Sequence, residues 1–323
     1  MATRVGIPRG LSFYRDFLPW RAFLECLGAE VVVSPPTTRA TLEAGIVYTV
    51  PEACLPLKVF CGHVRALVGQ CDALLVPSFV RFSPASTNCA KLIGLPDLLR
   101  ATMPDLPPLI APTLDLSQGG RGLWPVALQV GSWFTRSPLM IREAALGAWR
   151  VRAEMGAALR AGRMTPAGFF EQPSARARGA DLPPAGEVAV VGHPYILYDP
   201  FISHNLLRRL ARLGLAVVTP EMLAPPPGDG YWTFEHEFVG AAQAAAARGS
   251  ADGLVAVVAF GCGPDGVMLQ PVREIGQANS LPVLTLTLDE HSGEAGLVTR
   301  LEAFVDMIRW RKQRQRDGSL PGH

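Results

Sequence analysis

The chain has 323 residues, 49% of them apolar and 18% charged. That is length for about two domains with cores of their own, and enough apolar surface to offset ordering entropy, which excludes a disordered chain. Thirty basic against 28 acidic side chains leave a formal charge of +2, so no broad field exists to gather nucleic acid or an acidic membrane. Mean hydropathy is +0.21, yet purely apolar stretches such as Leu254 to Phe260 fall far short of the roughly 20 residues a spanning helix needs. The opening Met1-Ala2-Thr3-Arg4-Val5-Gly6-Ile7-Pro8 has no apolar signal core. A soluble cytoplasmic protein without nucleic-acid or membrane partners is expected. Thiols stay reduced there, so Cys26, Cys54, Cys61, Cys71, Cys89 and Cys262 read as core residues, metal ligands or redox groups rather than disulfides.

Short valine- and leucine-rich runs alternate with helical stretches, the signature of parallel sheets covered by helices on both faces. Arg4 to Ile7 reads as a strand, Tyr14 to Leu27 as an amphipathic helix stopped by Gly28, and Glu30 to Ser34 as the next strand. Leu57 to Val68 is helical, Ala73 to Pro77 a buried strand, Pro96 to Thr102 a short helix and Leu109 to Ala111 another strand. From Pro125 to Arg163 the pattern is helical, clearest over Glu143 to Arg160, and Gln172 to Gly186 is a linker of prolines, alanines and arginines. A second alternating unit follows. It comprises strands at Glu187 to Gly192, Ala216 to Thr219, Leu254 to Phe260 and Val283 to Leu288, with helices at Ser203 to Leu213, Phe234 to Arg248 and Leu297 to Arg309. Five basic residues between Arg309 and Arg316 read as a solvated helix end fading into a tail. The expected organisation is an α/β domain over 1–124, a helical section and linker over 125–186, a second α/β domain over 187–310 and a basic tail over 311–323.

In open parallel sheets ligands bind beyond the carboxyl ends of strands, and three cysteines fall in glycine-, proline- or polar-rich loops. Cys262 lies in Phe260-Gly261-Cys262-Gly263-Pro264-Asp265 after the most apolar strand of the second half. Gly261 and Gly263 let the backbone approach a bulky ligand, and Pro264 suits the first turn of the next helix. A thiol there faces the positive end of a helix dipole, which favours the metal-binding thiolate. Cys89 lies in Ala85-Ser86-Thr87-Asn88-Cys89, and Cys54 precedes a proline that opens the helix carrying Lys58 and His63. Cys26, Cys61 and Cys71 read as core packing: Cys26 on the apolar face of the first helix, Cys61 inside a helix, Cys71 leading into a strand.

A competing signal overlaps Cys262. Gly261-Cys262-Gly263-Pro264-Asp265-Gly266 matches the G-x-G-x-x-G string of dinucleotide sites, with Asp289 at the end of the next strand. Against that reading, Pro264 removes a backbone N–H that would cradle a pyrophosphate.

The segments Gly6-Ile7-Pro8-Arg9-Gly10-Leu11, Cys54-Leu55-Pro56-Leu57-Lys58 with Gly62-His63-Val64, Gly192-His193-Pro194-Tyr195, Phe260 to Asp265 and Asp289 to Phe304 carry a resemblance over nearly the whole chain. They resemble the acyl-CoA dehydratase activase-related family, related to 2-hydroxyacyl-CoA dehydratase components and double-cubane cluster proteins. The resemblance implies two Rossmann-like domains joined by a helical section, with a 4Fe-4S cluster in the cleft between them. By similarity Cys54, Cys89 and Cys262 are its ligands, leaving one iron open. It also implies low-potential electrons from a separate ATP-dependent activator with its own iron–sulfur cluster, an air-sensitive difficult reduction or dehydration, and a double cluster shared between two chains as a variant form. Glu52, Lys58, His63 and Asp265 are candidate proton or hydrogen-bond partners near the cluster. The rival classes are a non-catalytic electron or cluster carrier or scaffold, and a dinucleotide-binding protein using Gly261, Gly263 and Gly266.

Overall fold

Branched apolar residues in the runs foreseen from the sequence form short parallel strands, and the computed structural model describes them within residues 2–82, 86–117, 119–162, 168, 186–223 and 232–317. The chain divides into two units, one of Met1–Pro166 with Asp229–Glu235 and the other of Ala167–Gly228 with His236–His323.

In the first unit the order is β1 (Arg4–Ile7), α1 (Phe13–Cys26), β2 (Glu30–Val33), α2 (Arg39–Ile46), α3 (Leu55–Leu67), β3 (Ala73–Leu75) and β4 (Ser78–Arg81). Then come α4 (Ala90–Ile93), α5 (Leu95–Thr102), β5 (Leu109–Ile110), β6 (Thr113–Asp115), α6 (Leu123–Gly131) and α7 (Pro138–Arg160). Four strands make one parallel sheet in the order β2-β1-β3-β5. β3 and β5 are cut short by Pro77 and Pro112, which have no N–H for the ladder, and pairing resumes beyond them as β4 with β6. The helical section belongs to this unit: α7 packs along α1, where Arg152 meets the buried Asp16 at 2.8 Å.

Two local findings differ from the sequence reading. Cys26, expected in the core, is exposed; two residues beyond the buried Leu24, it is turned by about 200° onto the outer face of α1. The helix α2 had no place in the reading, because its capping box uses Thr38 and Thr41 in place of the usual Glu or Gln. This helix matters for the site. A Cβ on Gly45 would lie 1.8 Å from the Lys58 carbonyl oxygen, and one on Gly62 1.8 Å from that of Thr41. Only glycine allows α2 and α3 to meet backbone to backbone, and that contact fixes the start of α3 at Cys54.

The second unit contains β7 (Gly186–Gly192), α8 (Pro194–Leu197), α9 (Leu206–Arg212) and β8 (Leu215–Val218). The chain then lends α10 (Thr233–Glu235) to the first unit, where Trp232 bridges Thr87 and the Thr233 N–H donates to the Thr87 carbonyl at 3.0 Å. A π-helical turn at His236–Gly240 leads into α11 (Ala241–Arg248), β9 (Gly253–Ala259), α12 (Gly263–Ala278), β10 (Val283–Leu288) and α13 (Glu294–Arg316). The parallel sheet runs β8-β7-β9-β10. Ala189 and Val191 of β7 and Leu254, Ala256 and Val258 of β9 bury one face against Ala241, Ala242 and Ala245 of α11 and Met268 and Val272 of α12. On the other face Phe304 and Ile308 of α13 reach Gly253.

The basic run is the end of a helix. α13 continues to Arg316, with Lys312 2.8 Å from Asp252 and Arg311 donating to the Ser280 carbonyl at 2.8 Å. The linker from Gln172 lies outside the described residues as far as position 185, and so does the chain beyond Asp317. Among the described residues no helix is long and apolar enough to cross a membrane.

Candidate functional site

The three loop cysteines share one local structure. Cys54, Cys89 and Cys262 are the N-cap residues of α3, α4 and α12, each in extended backbone conformation. All three are partly exposed, whereas Cys61 and Cys71 are buried. An N-cap side chain sits over the unpaired N–H groups of the first helical turn, which favours an anionic ligand atom such as a thiolate. Burial pushes the Cys61 thiol up to about 12, so it stays protonated and inert.

In the first unit two of the three lie within electrostatic reach of each other. Burial is the main cause that raises the Cys89 thiol above its ordinary value; the backbone N–H of Leu92 pulls it down, the neighbouring Cys54 pushes it up, and Lys91 lowers it again. Asn88 pins the Cys89 loop to β4, its side-chain amide donating to the Phe79 carbonyl at 3.1 Å. Cys54 follows a helix, not a strand, because α2 stands between β2 and the loop that carries it.

His63, Lys58 and Glu52 surround this region differently. His63 is 1% exposed, with Ser34 Oγ 3.0 Å from Nδ1 and Thr37 Oγ1 2.9 Å from Nε2. Burial, helped by the Arg9 charge, holds its pKa down to about 3. The neutral ring therefore joins the loop after β2 to α3. Lys58 is buried and donates to the Pro51 carbonyl at 2.8 Å, bracing the loop that ends in Cys54, and Glu52 in that loop is exposed.

In the second unit β7 and β9 are sheet neighbours at which the strand order reverses, the place where doubly wound sheets bind ligands. His193 follows β7 directly, and Cys262 follows β9 after Phe260 and Gly261. Gly261 has φ +75, a conformation that turns the chain sharply enough to start α12. Side chains built on Gly263 and Gly266 would meet open space, so the loop presents a bare backbone face. Asp265, in the first turn of α12, is fully buried; its Oδ2 accepts from the Ala259 N–H at 2.9 Å and its Oδ1 lies 2.5 Å from His193 Nε2. Tyr195 stacks on His193 with ring centroids 4.9 Å apart. Donor atoms of His193, Cys262 and Asp265 all lie within 4.8 Å of one another.

His193 was named in the sequence reading only as part of a motif. The signal was present: Gly192-His193-Pro194 and Gly261-Cys262-Gly263-Pro264 both place a ligand-type residue at an N-cap with a proline just inside the helix. An apolar pocket between α1, α6 and α7, lined by Trp20, Phe23, Val126 and Trp149 around the Asp16–Arg152 pair, holds none of these donors.

Of the comparisons with known proteins, the family profile agrees with the motifs. No curated protein matches the chain significantly. Among solved structures it is similar to the crystal structure of ZnuA, at 13% identity and a TM-score of 0.27 over 96% of this chain and 98% of that one. The sequence profile described as the CoA enzyme activase uncharacterised domain (DUF2229) matches residues 4–223, a stretch that includes Cys54, Cys89 and His193 and ends before Cys262. The match spans more than half of the chain, which therefore belongs to the CoA enzyme activase uncharacterised domain family, in keeping with the acyl-CoA dehydratase activase-related group its motifs resemble.

Proposed function

We propose that the protein is a cytoplasmic iron–sulfur component of a 2-hydroxyacyl-CoA dehydratase-like or reductase system, holding a 4Fe-4S cluster through Cys54, Cys89 and Cys262. One observation carries this reading: the three cysteines singled out are the three that cap helices from extended backbone and stay partly exposed. The donor set fits the group, since thiolates are the ligands iron–sulfur clusters take. Such a cluster supplies one-electron chemistry at low potential and, with three protein ligands, an iron open to an oxygen ligand. The chain's own part is to present the thiols, to brace the Cys54 loop through Lys58, and to leave the bare backbone of Gly263 beside Cys262, between Gly261 and Pro264, for close approach. Electrons would come from an ATP-dependent activator carrying its own cluster, and two copies of this chain sharing a double cluster is the homodimeric form of the same proposal. The dinucleotide alternative is disfavoured by Pro264 in the first turn of α12, which lacks one of the backbone N–H groups that would cradle a pyrophosphate.

Anaerobic purification with iron and sulfide analysis tests the proposal. Brown protein with about four irons per chain, bleaching in air, is expected. Cys54→Ser or Cys262→Ser should remove most of that iron, because a hydroxyl is a poor substitute for thiolate, while Cys26→Ser leaves it unchanged. Colourless protein that takes up no iron on anaerobic reconstitution overturns the reading.

A further inference from the structure

We infer that the second unit holds, by itself, a single zinc-type divalent cation at His193, Cys262 and Asp265. The inference goes beyond the cluster reading and shares only Cys262 with it: Cys54 and Cys89 take no part, and the two are alternative loadings of that one thiol.

The place is the reversal point of the sheet, with His193 at the end of β7 and Cys262 and Asp265 at the start of α12 after β9. Each residue offers one donor, an imidazole nitrogen, a thiolate sulfur and a carboxylate oxygen, and the three donors lie within 4.8 Å of one another. At zinc bond lengths of about 2.0–2.3 Å, a tetrahedral ion needs donors roughly 3.3–3.6 Å apart. The triangle therefore closes on an ion with movements of about 1 Å, the 2.5 Å contact between Asp265 Oδ1 and His193 Nε2 widening as the ion enters.

A second observation points the same way. Asp265 is fully buried, Oδ2 is satisfied by the Ala259 N–H, and Oδ1, which faces His193, has no aligned hydrogen-bond donor. A buried carboxylate oxygen in that state is costly, and a cation satisfies it. The imidazole is held in place by the stack of Tyr195. One soft, one borderline and one hard donor select zinc-like ions over magnesium or calcium. Three protein ligands leave a fourth position open for water or another oxygen ligand.

The test uses the full chain with Cys54→Ser and Cys89→Ser, so that the three-cysteine set cannot form, and Co2+ as the probe. One equivalent should bind with a thiolate-to-cobalt charge-transfer band and tetrahedral d–d bands. Cys262→Ser, at a partly exposed position, should abolish the charge-transfer band. His193→Ala and Asp265→Asn should each weaken binding by about tenfold or more. Because both lie in the core, X-ray absorption of the zinc-loaded Cys54→Ser/Cys89→Ser protein gives a readout without those variants: a shell of one sulfur with nitrogen and oxygen, including imidazole scattering, is expected. No stoichiometric binding, a charge-transfer band that survives Cys262→Ser, or a shell without imidazole overturns the inference. Iron content of the unaltered chain judges the cluster reading separately, so each can fail alone.

Discussion

In the first unit the sheet β2-β1-β3-β5 is assembled from strands of two to four residues, whereas in the second β8-β7-β9-β10 has strands of four to seven. The winding is the same: the first strand of each unit lies between the second and third. What differs is the chemistry at the reversal point. The second unit ends its two central strands in His193 and Cys262, while the first ends β1 in Pro8-Arg9-Gly10 and interrupts β3 at Pro77. Its cysteines stand instead at the N-caps of α3 and α4, placed there by the α2–α3 contact and by the loop after β4. A shared topology thus fixes where a site is easy to build, and helix caps decide which side chains reach it.

The largest effect should come from breaking that helix contact. Gly62→Ala forces a Cβ to within 1.8 Å of the Thr41 carbonyl oxygen, a backbone atom that cannot swing aside. Overpacking of this kind should destabilise the first unit by about 3 kcal/mol, read in urea unfolding. Gly263→Ala in the second unit meets open space and should change stability by about 0.5 kcal/mol or less. Equal effects from both variants would mean that α2 does not position Cys54 in the way described.

A second effect is graded with pH. The folded His63 titrates at about 3 against an ordinary 6.5. Its contribution is therefore complete above about pH 6.5 and falls on acidification, because the unfolded chain takes up a proton that the folded ring refuses. The slope between those values approaches 1.4 kcal/mol per pH unit. His63→Asn, which keeps polar atoms facing Ser34 and Thr37, should flatten the acid limb of unfolding curves measured between pH 7 and 4. An unchanged limb would show that the imidazole is not the group refusing the proton.

Much of the fold was legible because its strands are apolar runs bounded by glycine or proline: β1, β3, β7, β9 and β10 fall where the runs lie. The missed elements fail that test. β4 and β6 are short and sit beyond prolines that appear to a sequence reader as strand ends, and α13 continues through a basic run whose stability comes from Asp252 and the Ser280 carbonyl, partners distant in sequence. At the site, the N-cap cysteines could be read from their loops, since glycine, proline and polar neighbours mark them. His193 could not be joined to Cys262 in that way, because their proximity depends on β7 and β9 being sheet neighbours although 69 residues separate them.

Thiol labelling gives the mildest probe, since it perturbs nothing before it reports. Five of the six cysteines belong to the first unit, and only Cys262 to the second. Reactivity follows the thiolate fraction and access, so in native, metal-free protein at mildly alkaline pH an alkylating agent should reach the exposed Cys26 first. Cys54, Cys89 and Cys262 should follow, with Cys89 slowed because its burial disfavours the thiolate. Cys61, pushed up to about 12, and Cys71, raised by burial and bonded to the Leu67 carbonyl at 3.4 Å, should label only on unfolding. Mass spectrometry of peptides over time resolves the order. Metal loading should then protect Cys54, Cys89 and Cys262 and leave Cys26 reactive, since only the N-cap thiols are proposed as ligands. Protection of Cys262 alone would assign the metal to the second unit, and early labelling of Cys61 would show that α3 does not hold its core face closed.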